Sequence, residues 1–154
     1  MRLKTSYSAR EVAALTGLSA RQLQGWDAGR VFLPAIAPRR TTSGGFTERR
    51  YTPVDVLELL ALAELRRQGF TPSVLKQVMD ALRAYFRRRL SETLDDAGEL
   101  RLLSDGRRLF LRTRQGHIFD LLADPFQPLI TGDGLPLKPV TGRAQRRKRA
   151  KANG

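Results

Sequence analysis

The side chains best placed for chemistry in this chain are hydrogen-bond donors rather than nucleophiles or metal ligands. Arg21, Gln22 and Gln24 fall in one stretch, Ser19-Ala20-Arg21-Gln22-Leu23-Gln24-Gly25-Trp26, and Arg39, Arg40, Arg49 and Arg50 flank Ser43-Gly44-Gly45. Arginine forks bind guanine edges or phosphates, and glutamine pairs with adenine. Other chemistries are poorly supplied. The absence of cysteine excludes disulfides, thiolate reactions and cysteine-based metal sites. His117 stands alone with no paired nucleophile, and the carboxylates Asp95 and Asp96 fall in a turn, where solvation is their ordinary fate. The expectation is a protein that is not an enzyme, with no cofactor and no metal.

Charge points the same way. The 154 residues carry a formal charge of +13, the electrostatic footprint of a nucleic-acid binder. Residues 1–50 hold nine Lys/Arg against three Asp/Glu, residues 95–137 hold five against seven, and residues 138–154 hold seven against none. The basicity is thus concentrated at the two ends. No apolar run is long enough to span a bilayer, no basic amphipathic helix with a bulky apolar face is evident, and Met1-Arg2-Leu3-Lys4-Thr5 lacks a signal-peptide pattern. A cytoplasmic protein with no membrane partner is expected.

Donors on one helix need that helix to be held. Ser8-Ala9-Arg10-Glu11 and Ser19-Ala20-Arg21-Gln22 are capping boxes. Each opens a short helix, the first with Val12 and Leu15 inward, and Gly17 supplies the turn between them. Two capped helices around a glycine turn are the sequence form of a helix-turn-helix. On the second, Leu23 and Trp26 share an inner face, leaving Arg21, Gly25 and Ala28 outward with Gln22 and Gln24 on the flanks. Gly25 reads either as close approach of the helix backbone to DNA or as the mark of a short, fraying helix. Pro34 and Pro38 exclude a long helix next. Ser43-Gly44-Gly45 then reads as a turn between two extended arms whose arginines could grip phosphates, a wing, against the alternative of a solvated basic loop.

Thr52-Pro53 caps a third helix, apolar on most sides through Val54, Val56, Leu57, Leu59, Leu60, Leu62 and Leu65, and Gly69 terminates it. Thr71-Pro72 caps a long fourth helix over 71–94 with two apolar stripes. One stripe can pack on the third helix. The other includes Tyr85 and Phe86, and Val78, Leu82, Tyr85 and Phe86 are assigned to a dimer contact; a core role for both stripes is the alternative. Residues 95–137 read as a small α+β appendage: two strands, 100–103 and 109–112, around Asp105-Gly106, a short helix over 117–123, and an extended piece over 125–130. Residues 138–154 read as a disordered basic tail. The fold class is therefore mainly α: an N-terminal winged helix-turn-helix over 1–70, a long dimerisation helix and an α+β C-terminal appendage.

Residues 7–69 resemble the MerR family of bacterial transcription regulators. The matching residues are Tyr7-Ser8, Glu11-Val12-Ala13, Thr16-Gly17-Leu18-Ser19, Leu23, Trp26-Asp27, Pro34, Arg50-Tyr51-Thr52, Asp55-Val56 and Leu65 to Phe70. The resemblance implies a winged-helix DNA-binding domain, a dimer joined through a long helix, and inverted-repeat promoter sites. It gives groove contact to the second helix and backbone contact to the wing, and points at Arg21, Trp26, Arg50 and Tyr51. The chain departs from the pattern at Gln24, where the family usually has arginine, at Trp26, where it has tyrosine, and at Arg30, where it has glycine. The absence of cysteine sets it apart from the metal-sensing branch, so it resembles a short type.

The residues and the resemblance together predict a sequence-specific regulator of double-stranded DNA acting as a homodimer. Its DNA-binding residues are Ser19, Arg21, Gln22, Gln24, Trp26, Arg39, Arg40, Arg49, Arg50 and Tyr51. RNA polymerase or another protein partner could engage residues 95–137. The alternatives are a phage-excisionase-like or architectural DNA-binding factor, and an antitoxin-like adaptor that grips a protein.

Overall fold

A helix start leaves backbone amides bare, and each of the first two helices begins at a serine that satisfies them. In the computed structural model, which describes residues 4–36, 39–40, 47–129 and 136–141, Ser8 Oγ accepts from the Glu11 N–H at 3.2 Å. The Glu11 carboxylate accepts in return from the Ser8 N–H at 3.1 Å, opening α1 (Ala9–Thr16). Ser19 and Gln22 repeat the exchange at 3.0 and 2.9 Å at the head of α2 (Ala20–Ala28). Gly17, at φ 79°, turns the chain between them, and α1 packs against α2. One inward residue is corrected. Leu15 is exposed and Thr16 is buried in its stead. The Thr16 hydroxyl donates to the Val12 carbonyl at 2.8 Å and accepts from the Leu18 N–H at 3.2 Å, which makes its burial tolerable.

Four two-residue strands follow from the same unit: β1 (Tyr7–Ser8), β2 (Arg39–Arg40), β3 (Thr47–Glu48) and β4 (Arg50–Tyr51). They form two antiparallel ladders, β1 with β4 and β2 with β3. The expected turn at Ser43-Gly44-Gly45 lies outside the described residues, as do Thr131 to Gly134 and the basic run 143–149.

α3 (Pro53–Arg67) opens on a third reciprocal cap, Thr52 Oγ1 accepting from the Asp55 N–H at 3.1 Å and Asp55 Oδ2 from the Thr52 N–H at 2.9 Å. Leu59, Leu62 and Leu65 are fully buried, while Val54 and Leu57 are exposed, so the helix is not buried on every side. It ends in a Schellman arrangement: Gly69 at φ 99° donates to the Arg66 carbonyl and Phe70 to that of Leu65. The chain divides into two compact units within α3, residues 1–63 and 64–154.

In the second unit Thr71 caps α4 (Pro72–Ala81). The continuous helix expected over 71–94 is corrected here. The winding loosens into a π turn at Leu82–Phe86, Arg87 reverses the chain at φ 52°, and a 3-10 turn spans Leu90–Thr93. Leaving the helix axis lets that turn pack on the sheet, with Leu90 fully buried. The sheet comprises β5 (Leu100–Ser104), β6 (Leu109–Thr113), β7 (Ile118–Asp120) and β8 (Lys138–Pro139), antiparallel in the order β7-β6-β5-β8. The β5–β6 hairpin agrees with the expectation. Its turn is held by the Asp105 carboxylate, which accepts from the Arg107 and Arg108 N–H groups at 2.9 and 2.7 Å.

Two further expectations are corrected. The helix predicted over 117–123 is the strand β7, because the free edge of β6 pairs Arg112 with Ile118, Leu111 with Phe119 and Phe110 with Asp120. Residues 125–129 form no strand; the Leu129 N–H instead reaches the Ile118 carbonyl at 2.7 Å. The fourth strand comes from residues read as tail. Leu103 pairs with Pro139, Val140 and Thr141 are buried, and the buried Arg101 guanidinium donates to the Val140 carbonyl at 2.5 Å, the Thr93 carbonyl at 3.1 Å and Asp96 Oδ1 at 2.8 Å. Proline is acceptable there because β8 is an edge strand.

The assignment of Val78 and Leu82 to a dimer contact is likewise corrected, since both are fully buried in the single chain. Phe86 meets Phe119 edge-on at 5.1 Å, and Tyr85 meets Phe126 at 5.8 Å, so the aromatic stripe has partners in its own chain. Tyr85 and Phe126 nonetheless remain 53% and 62% exposed. Among the described residues no helix is long and apolar enough to cross a membrane.

Candidate nucleic-acid interface

Helical phase on α2 divides its residues as the sequence implies. Leu23 and Trp26 are buried; Arg21, Gln22, Gln24, Gly25 and Ala28 are exposed. The outer face is thus one guanidinium and two carboxamides around a glycine. A Cβ built on Gly25 meets nothing within 4 Å, so no neighbour among the described residues requires glycine there. The helix continues for one further turn past it, the Gly29 N–H bonding to the Gly25 carbonyl at 2.8 Å. Bare backbone on an exposed helix face admits close approach of a partner.

The cap changes what Gln22 can offer. Its Oε1 accepts from the Ser19 N–H, so one of that oxygen's two lone pairs is committed to the cap and the carboxamide is held by it. Gln24 is exposed on the same face and takes no part in the cap. Ser19 uses its oxygen as an acceptor and keeps its hydroxyl hydrogen available to donate.

Trp26 and Tyr51 depart from expectation. They are 5% and 1% exposed, so neither ring is available to a nucleic acid, and their assignment as contact residues is corrected to one of support. Burial pushes the Tyr51 phenol above its ordinary pKa, with Arg49 acting against that shift and Asp27 and Asp55 with it.

The second arm is tied down through its charges. Arg49 Nε donates to Asp27 Oδ2 at 2.6 Å, joining the arm to α2. Arg50 Nη2 donates to Ser6 Oγ at 2.7 Å, with Glu48 Oε1 at 3.5 Å from Nη1. The two side chains are about equally exposed, 27% at Arg49 and 29% at Arg50, and differ in what they reach: Arg49 joins the arm to α2, whereas Arg50 meets Ser6 and Glu48. Arg39 and Arg40 form β2, in register with Glu48 and Thr47.

Two carboxylates with no role assigned from sequence carry much of this geometry. Asp27 anchors Arg49. Asp55 Oδ2 accepts from the Ala35 N–H at 3.1 Å as well as from Thr52, fastening the segment after α2 to the head of α3. The cap motif marks Asp55 from sequence, but nothing local marks its second donor twenty residues away. Among the described residues no group of three or more His, Cys, Asp or Glu is placed to hold a metal ion.

Residues 7–82 match the family described as MerR HTH family regulatory protein. No curated protein matches the chain.

Proposed function

Because residues 7–82 belong to the MerR helix-turn-helix family of regulatory proteins, we propose that this protein is a sequence-specific regulator of transcription that binds double-stranded DNA as a homodimer at inverted-repeat promoter sites. The observation that carries the reading is the outer face of α2, where Arg21, Gln22 and Gln24 surround an exposed glycine that no contact among the described residues requires. Arg21 and Gln24 read base edges in the major groove, and Gln22 and Ser19 donate to the same strand or its phosphates. The arms β2 and β3–β4 serve as the wing, with Arg39, Arg40 and Arg50 on phosphates. Arg49 holds the wing to α2 through Asp27. The dimer contact involves Tyr85 and Phe126, and residues 95–137 offer a surface to a protein partner such as RNA polymerase.

Titrating duplex DNA at several salt concentrations tests this reading, because each phosphate neutralised contributes about −0.9 to the slope of log affinity against log salt. Arg21→Ala is expected to relax base preference, and Arg50→Ala to weaken all sequences alike with a shallower slope. A wild-type affinity that is flat with salt contradicts the reading, and identical behaviour of the two variants contradicts the division of roles.

A further inference from the structure

α2 and α3 end in the same way, and the difference between them identifies a residue. In both, the N–H after the left-handed residue bonds back five positions, Val31 to Trp26 at 2.8 Å and Phe70 to Leu65 at 3.2 Å. In both, the left-handed residue itself bonds back three, Arg30 to Asp27 at 3.2 Å and Gly69 to Arg66 at 3.1 Å. The reversal requires positive φ, 99° at Gly69 and 58° at Arg30. Glycine adopts that backbone freely, whereas a side chain with a Cβ is strained there.

Arginine is therefore the less stable choice at position 30, and nothing among the described residues compensates for it. Arg30 is exposed, and among the described residues its guanidinium has no hydrogen-bond or ion-pair partner. A cation at a helix C-terminus is favoured by the helix dipole, but exposed Ala28 on the last turn offers that benefit in an unstrained backbone. Several other cations of this unit are engaged, Lys4 with Glu11, Arg49 with Asp27, and Arg50 with Ser6 and Glu48, while Arg21 is exposed like Arg30 but sits in ordinary helical backbone.

We propose that Arg30 is a DNA-backbone contact of α2: held at the end of the reading helix by the strained turn, it neutralises one phosphate beyond the bases that Arg21 and Gln24 face. The inference rests on the DNA-binding reading above. It adds a sequence-independent grip to the C-terminal end of α2, at the opposite end from Ser19.

The test compares Arg30→Gly, Arg30→Lys and, as a control, Arg87→Gly in the full chain. Arg87 is the other described non-glycine residue at positive φ and is also an exposed arginine, but it lies in the second unit. Melting temperature and affinity for a mixed-sequence duplex are measured over a salt series. Arg30→Gly is expected to melt a few degrees higher, since strain is relieved, yet to bind with a slope shallower by about 0.9, equivalent to roughly eightfold weaker binding at 0.1 M salt with convergence towards 1 M. Arg30→Lys should keep the slope, and Arg87→Gly should gain stability with the slope unchanged. An unchanged slope in Arg30→Gly overturns the proposal. So does an equal loss in Arg87→Gly, which would mean that net charge alone is responsible, and so does a lower melting temperature for Arg30→Gly, which would remove the strain argument. If wild-type affinity itself ignores salt, the DNA-binding reading fails, a result separable from all of these.

Discussion

Truncating Trp26 to alanine removes an indole that is almost wholly buried near the end of α2, and the expected loss is about 3–5 kcal/mol of folding stability. Arg21→Ala, on the exposed face of the same helix, should stay within about 0.5 kcal/mol of wild type. Denaturant titration of both variants separates the roles: a mild effect at Trp26 would mean that the ring is not a core element. The adjacent residues show why a site can be read only in part from its sequence. The outward direction of Arg21, Gln22 and Gln24 follows from helical period, a local property. The fate of Tyr51 does not. An aromatic residue beside two arginines in a basic loop has the composition of a contact surface, and only its pairing with Tyr7 and the packing around it bury it. Asp27 is similar, since its ion pair with Arg49 joins residues that no periodicity relates.

At the scale of the element, the hairpin turn at Asp105 gives a pH dependence. Backbone N–H bonds from Arg107 and Arg108 hold its carboxyl down at about 2, below the ordinary range, with the Arg108 side chain assisting. A carboxylate whose folded pKa is depressed contributes stability that is present above its unfolded pKa, near 3.9, and is lost as pH falls towards the folded value. The hairpin should therefore weaken between about pH 4 and pH 2. Asp105→Asn should remove that group's share of the dependence, and a variant with an unaltered profile would show that the turn does not sense this proton. Turns and caps of this kind were legible because donor and acceptor lie within three or four residues. The termination of the fourth helix was not. Its apolar stripe continues in the sequence to Leu90, but Leu90 is buried by a separate turn against β5. Strand β8 was still less visible, because Lys138-Pro139 has no alternation to show. It is held by pairing to β5 and by the Arg101 guanidinium, whose partners include a carbonyl 39 residues away.

For the whole molecule, the exposed Tyr85–Phe126 pair carries the dimer expectation. Light scattering should return twice the chain mass of 17.3 kDa, and Tyr85→Asp should shift the population towards the monomer because a charge would then have to be desolvated at the contact. A wild-type mass of one chain would exclude this assembly. Overall charge was legible without any fold, since it needs only counting. What each cation reaches was not, because Arg49 and Arg50 look alike in sequence yet one meets Asp27 and the other Ser6. Ser8 both caps α1 and pairs with Arg50 in β4. The caps and helices close over a few residues, and helix formation of this kind takes on the order of a microsecond. The ladder between Ser8 and Arg50 instead encloses the entire helix pair, and each doubling of such a loop adds roughly 0.6 kcal/mol to its closure. The helix pair is accordingly expected to form before the arm. Amide exchange should then find Arg50 and Tyr51 opening ahead of α1 and α2, and equal protection would overturn that order.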